Sequence, residues 1–252
     1  ILSASGKPHL FMNPKKIAGE VEAHLRELAE LHAPEELEPV LASLSKGATI
    51  GLDDALAAER LRLLVDENGG TTVNFTDPAS LPRAMKNEAE LQGARAAHLR
   101  DGAALARFLA WLDSQKPEML DEITAATQLE EFRRRAGEET QRPLRDISFD
   151  TISGAGPNGA VIHYRVTHKT NRRLAAGELL LVDSGAQFED GTTDVTRTVA
   201  LGESNEEMRS RFTLVLKGMI AISRMRLPPG TRGMDIDALA RVSLWASDLD
   251  YG

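Results

Sequence analysis

Cysteine is absent from this chain, which excludes disulfides and thiol catalysis and fits a reducing, cytoplasmic setting. Aromatic residues amount to only 4%, so alanine and leucine must build much of the core. No apolar run reaches the roughly eighteen residues of a membrane-crossing helix. A surplus of positive charge is also missing. The net charge of -8 argues against a general nucleic-acid binder, which needs a basic face. What remains, 42% hydrophobic and 27% charged residues, is ordinary for a soluble globular protein. A length of 252 residues allows one or two domains. The chain opens on Ile1 and closes on Asp250-Tyr251-Gly252 directly after a helical pattern, so it is expected to be part of a longer protein.

Residues 9–12 are a short apolar run, expected as a strand and closed by Asn13-Pro14. From Ile17, apolar residues recur at Val21, Leu25, Leu28 and Leu31 with helical spacing. A second helix is expected over 35–44 and a strand over 48–52. A helix capped by Asp53 or Asp54 should then run to about residue 66, before a strand over 71–75. This alternation predicts a small α/β domain over residues 1–82. Asn87 with Glu90 reads as a capping box, opening a long helix through Leu91, Ala94, His98, Leu105, Phe108 and Leu112 to about Asp113. A further helix over 120–135 should end at Gly137. After Pro143, strands are expected over 149–152, 161–165, 178–188 and 192–201. Helices over 206–225 and 234–246 follow, separated by Pro228-Pro229-Gly230. The second domain thus covers 83–252, and the fold class is α/β (α+β).

One stretch carries chemistry. Leu179-Leu180-Leu181-Val182-Asp183-Ser184-Gly185 precedes Asp190-Gly191-Thr192-Thr193-Asp194-Val195-Thr196-Arg197-Thr198. Asp183 closes an apolar strand, where a carboxylate is costly unless it is paired or binds a metal. Asp194 stands in a strand pattern that disfavours aspartate. Together they could hold hard or borderline divalent ions. A two-residue turn at Asp190-Gly191, however, would set Asp194 opposite Gln187, roughly 13 Å along the strand from Asp183. A metal pair is only about 3.5–4 Å across, so either a bulge, which Gly185 could permit, or a longer loop is expected to shift the register. The plain alternative is one aspartate at a strand end and another in a solvated hairpin. His163, after Asn158-Gly159, reads as a structural histidine in a strand. Arg197 either orients a ligand carboxylate or makes a surface salt bridge. His9, His24, His32 and His98 lack partner carboxylates at ligand spacing, and His168 belongs to an exposed loop.

The segments Ser153-Gly154-Ala155-Gly156-Pro157-Asn158-Gly159-Ala160-Val161-Ile162-His163-Tyr164, Leu181-Val182-Asp183-Ser184-Gly185 and Thr193-Asp194-Val195-Thr196-Arg197-Thr198 resemble, in order, the motifs of the Xaa-Pro aminopeptidases. Lys86-Asn87-Glu88 is similar to the start of that family's catalytic domain. The resemblance covers residues 81–252; residues 1–82 look like part of a creatinase-N-terminal-like domain found in three-domain members. It implies a pita-bread catalytic domain and hydrolysis between an N-terminal residue and a following proline. It also implies two manganese ions, proline-containing peptides as partners, and a homodimer. Asp183 would then chelate one metal and Asp194 bridge both, with His163 near the substrate. The family's remaining ligands, one histidine and two glutamates, are expected beyond Gly252, so the 252-residue piece should be inactive alone. It should also expose apolar surface near Val182 and Val195. Two rivals share the fold: prolidase-type dipeptidases, and creatinase-like or non-catalytic members. The second group lacks the metal ligands, and the two retained aspartates count against it.

Overall fold

Short strands alternate with helices in the first unit, Ile1–Lys86. The structure, a computed structural model, describes residues 1–17 and 19–251; Gly252 of the Tyr251-Gly252 pair lies outside the described residues. Strand β1 (His9–Phe11) and helix α1 (Glu20–Leu28) lead to β2 (Glu30–His32), which pairs parallel to β1. Leu31, which matches helical spacing, therefore belongs to a strand. Ala29 is extended at φ -146° and ends the helix, freeing the next residues to pair with β1. Then come α2 (Leu37–Ser45), β3 (Thr49–Leu52), α3 (Glu59–Glu67), β4 (Thr71–Asn74) and α4 (Ser80–Ala84). β3 and β4 are parallel, over a small core of Leu41, Leu64 and Val65. Neither Asp53 nor Asp54 caps α3, whose N-cap is Ala58. Asp53 instead accepts from the N–H groups of Ala55 and Asp77 at 3.0 and 2.8 Å and ties two loops together.

The second unit, Asn87–Gly252, opens with the expected capping box. The Asn87 side chain accepts from Glu90 N–H at 2.9 Å, and the Glu90 carboxylate accepts from Asn87 N–H at 2.8 Å. They start α5 (Glu88–Asp113), which packs on α6 (Glu122–Glu139). Gly137 lies inside α6 rather than ending it. A side chain there would collide with Arg142 O at 2.7 Å, so its role is close packing. The strands are β5 (Asp146–Ile147), β6 (Ile152–Ala155), β7 (Leu179–Ser184), β8 (Ala186–Gln187) and β9 (Val195–Ala200), followed by α7 (Glu206–Ser223) and α8 (Gly233–Trp245). An antiparallel sheet runs β6-β7-β9, and β5 pairs with β8.

One sheet face, with Ala155, Leu180 and Val182, packs on Leu105, Phe108, Leu112 and Leu129 of the two long helices. Val182 is buried and Val195 packs against the same cluster, so the expected apolar exposure at these two valines does not occur. Exposed apolar groups in the later part of the second unit include Phe212, Met219, Val242 and Trp245 on α7 and α8. The strand expected over 161–165 is a turn. After a 3-10 helix, Gly156–Ala160, Tyr164 N–H donates to Val161 O at 3.1 Å and His163 adopts φ 54°.

Candidate metal centre

Asp183 is half-buried at the end of β7, flanked by Ile152 of β6 and Thr196 of β9. The Thr196 hydroxyl donates to Asp183 Oδ1 at 2.8 Å, leaving the other carboxylate oxygen available. Asp194 is exposed and directly precedes β9. The hairpin between the two aspartates turns through Glu189 and Asp190: Phe188 N–H donates to Gly191 O at 3.0 Å and Gln187 bridges Thr192. The turn is therefore one residue earlier than Asp190-Gly191, and neither of the expected devices, a bulge or a longer loop, is needed in the hairpin. Thr193 N–H donates to Ala186 O at 2.9 Å and Val195 lies opposite Ser184, so Asp194 falls opposite Gly185. Counting by strand parity, Asp194 and Asp183 occupy diagonal positions on one side of the hairpin. Diagonal Cβ atoms are about 7–8 Å apart or somewhat less, close enough for carboxylates to converge on ions about 4 Å apart.

Contacts from distant parts of the second unit fix this register. The hairpin tip lies on α5, where a Cβ on Gly93 would meet Asp190 O at 2.1 Å and one on Gly191 would meet Ala97 Cβ at 2.9 Å. Arg100 of α5 grips both oxygens of Asp190 at 3.0 and 2.8 Å and stacks 4.6 Å over Phe188. The hydrogen bonds from Arg100 outweigh burial and hold the Asp190 carboxyl below the usual range.

Deeper in, Arg133 pairs with Asp101 at 2.6 Å, and the Thr193 hydroxyl donates to the same carboxylate at 2.8 Å. The ladder irregularity lies between β5 and β6. Four residues, 148–151, face two, Ser184 and Gly185. Ser148 fills the gap, donating from its N–H to Gly185 O at 3.2 Å and from its hydroxyl to Thr193 O at 2.9 Å.

His163 is exposed, and its turn is anchored by a buried carboxylate that the sequence does not single out. Glu122, at the first turn of α6, is fully buried. It accepts from Ala155 N–H at 2.8 Å, Asn158 Nδ2 at 2.9 Å, Tyr164 OH at 2.9 Å and Arg172 N–H at 3.0 Å. Burial, together with the Glu122 carboxylate, pushes the Tyr164 phenol up, so it remains a donor beside His163. Arg197 is paired with Val182, on the opposite parity from Asp183, and donates to Thr196 O at 2.8 Å.

The model of metallopeptidase family M24 matches residues 92–252. The chain belongs to metallopeptidase family M24. A protein of Paracoccidioides brasiliensis named "Probable Xaa-Pro aminopeptidase P" is 36% identical over 96% of the M24 chain and 41% of its own length. A protein of the same name from Aspergillus fumigatus is 41% identical over 97% and 38%. The M24 chain thus spans about two fifths of the length of these relatives. The crystal structure of X-prolyl aminopeptidase from Caenorhabditis elegans, described as a cytosolic enzyme with a di-nuclear active site, superposes with a TM-score of 0.82. It has 32% identity, covering 96% of this chain and 40% of that one. Prolidase from Pyrococcus furiosus, at 18% identity and a TM-score of 0.67 over 95% and 66%, shares the fold alone. The second unit is accordingly part of the pita-bread fold of these peptidases.

Proposed function

We propose that the whole protein is a dinuclear metallopeptidase that releases the N-terminal residue from peptides with proline in second position. What carries the reading is the diagonal placement of Asp183 and Asp194 on one hairpin within a chain of family M24. The two carboxylates offer the oxygen donors that hard divalent ions prefer, which fits manganese. When bound, two such ions would lower the pKa of a water and polarise the scissile carbonyl. In this reading Asp183 would help hold one ion and Asp194 would be shared between the two. Thr196 holds the Asp183 carboxylate in orientation through its 2.8 Å hydrogen bond, while Arg197, on the other parity, donates among the described residues only to the Thr196 carbonyl and does not reach the pair. His163, steadied by Tyr164 and Glu122, donates to negative charge developing on the substrate carbonyl oxygen.

The name shared by the curated relatives favours an aminopeptidase over a prolidase. We further propose that residues 1–82 are part of a creatinase-N-terminal-like domain, and that the whole protein works in the cytoplasm as a homodimer. In the complete protein, Asp194→Ala should abolish hydrolysis of Xaa-Pro peptides. His163→Ala should lower turnover by about 10²–10³, as for loss of one oxyanion donor. Near-normal, metal-dependent turnover by Asp194→Ala would overturn the site. The 252-residue chain alone should show no turnover, because two carboxylates do not complete the ligand shells of two ions.

A further inference from the structure

The first unit brings together three groups that its sequence scatters. β1 and β2 run parallel with His9 opposite Glu30 and Phe11 opposite His32, so strand parity puts His9, Glu30 and His32 on one face. His9 Nδ1 and His32 Nε2 are 3.0 Å apart, and Glu30 Oε2 lies 3.4 Å from the first and 4.0 Å from the second. Both imidazoles are mostly buried, with side chains 13% and 17% exposed, while Glu30 is 56% exposed. Phe11 stacks on the His32 ring, centroids 5.0 Å apart, and holds it in place.

We propose that His9, Glu30 and His32 form a binding site for a zinc-type divalent ion, separate from the M24 carboxylates. Zinc takes imidazole nitrogen and carboxylate oxygen at about 2.0–2.2 Å in tetrahedral geometry, which sets neighbouring ligand atoms roughly 3.3 Å apart. Two of the three separations here lie within a few tenths of an ångström of that value. The third closes by a small movement of Glu30, the exposed member. Imidazole donors select zinc and its neighbours rather than the hard ions that suit paired carboxylates. A water completes the fourth position from the solvent side. The ligands come from both strands, so the ion clips together a pair in which each strand has three residues.

The test titrates zinc chloride by calorimetry into the 252-residue chain carrying Asp183→Asn and Asp194→Asn, which removes the proposed M24 ligands from the count. One zinc ion should bind. Adding His32→Gln should weaken binding by more than about 100-fold, since even loss of an outer-shell partner costs 10–100-fold. Absence of zinc uptake, or an affinity unchanged by His32→Gln, overturns the site. Should that variant fail to fold, the parent double variant is followed by side-chain ¹⁵N resonances. Zinc is expected to shift His9 and His32 first, and first shifts at His24, His98, His163 or His168 overturn the proposal equally.

Discussion

Asp101 and Arg133 are almost wholly buried, with side chains 3% and 1% exposed, and the carboxylate also receives the Thr193 hydroxyl. Asp101→Ala leaves a guanidinium buried without its counter-charge, a change that costs about 3–5 kcal/mol. Urea unfolding should show that loss at an unaltered m-value. His163 offers a second test. Its φ of 54° is a conformation glycine adopts freely and other residues adopt at a cost of about 1–2 kcal/mol. Against this, glycine loses more entropy on folding, so His163→Gly should leave stability within about 1 kcal/mol of the original. In the whole protein the same change should still lower turnover by about 10²–10³ if the imidazole donates to the oxyanion. Equal turnover would assign His163 to the turn alone. Asp190 gives a pH dependence. Arg100 depresses its folded-state pKa, so the pair's stabilisation is present above the unfolded value of about 3.9 and is lost as pH falls through the folded one. Asp190→Asn should flatten that acid limb of the stability profile. Of these residues, Asp183, Asp194 and His163 stood out in the sequence. Glu122, Asp101 and Arg133 did not, because a charged residue at helical spacing looks the same whether it faces water or a buried partner.

At the scale of elements, Gly185 is where the sheet changes partners. β7 pairs with β6 before it, and β8 pairs with β5 after it. A Cβ at Gly185 would stand 2.0 Å from the backbone Thr193 O and 2.1 Å from Ser148 Oγ, and the hydroxyl can turn away only by giving up its hydrogen bond to Thr193 O. Overpacking of this kind costs about 1–3 kcal/mol, occasionally more. Gly185→Ala should sit at or above the top of that range in chemical denaturation. In the whole protein it should also lose metal affinity, because Asp194 lies opposite Gly185. A well-folded Gly185→Ala chain with native stability would show that the close approach is not required. The start of α5 was readable because its cap is written within four residues, Asn87 to Glu90, whereas Asp53 and Asp54 misled because Asp53 caps a loop instead of α3. Strand ends and turn positions were not readable. The turn at Glu189 and Asp190 is set by Gly93, Ala97 and Arg100 on a helix about ninety residues earlier.

Across the whole molecule, exposed apolar groups concentrate on α7 and α8. Those helices pack on each other so tightly that a Cβ on Gly218 would lie 2.3 Å from Ala240 O, yet their outer faces present Phe212, Met219, Ile220, Val242 and Trp245. Exposed apolar side chains clustered on two neighbouring helices favour association. The 252-residue chain should therefore sediment with a weight-average mass that rises with concentration. Phe212→Ser with Trp245→Ser should reduce the rise, and a concentration-independent monomer would contradict it. The sequence alone determined the α/β class, the order of the peptidase-like motifs and the two acidic residues singled out for the candidate centre. Each of these is encoded by periodicity, caps or motif order over short spans. Only the tertiary structure decided the hairpin register that sets Asp194 opposite Gly185, the turn that carries His163, the Glu122 anchor beneath it and the meeting of His9 with His32. Those depend on backbone and side-chain contacts between residues tens of positions apart, whose hydrogen bonds and close approaches exist only once the chain has packed.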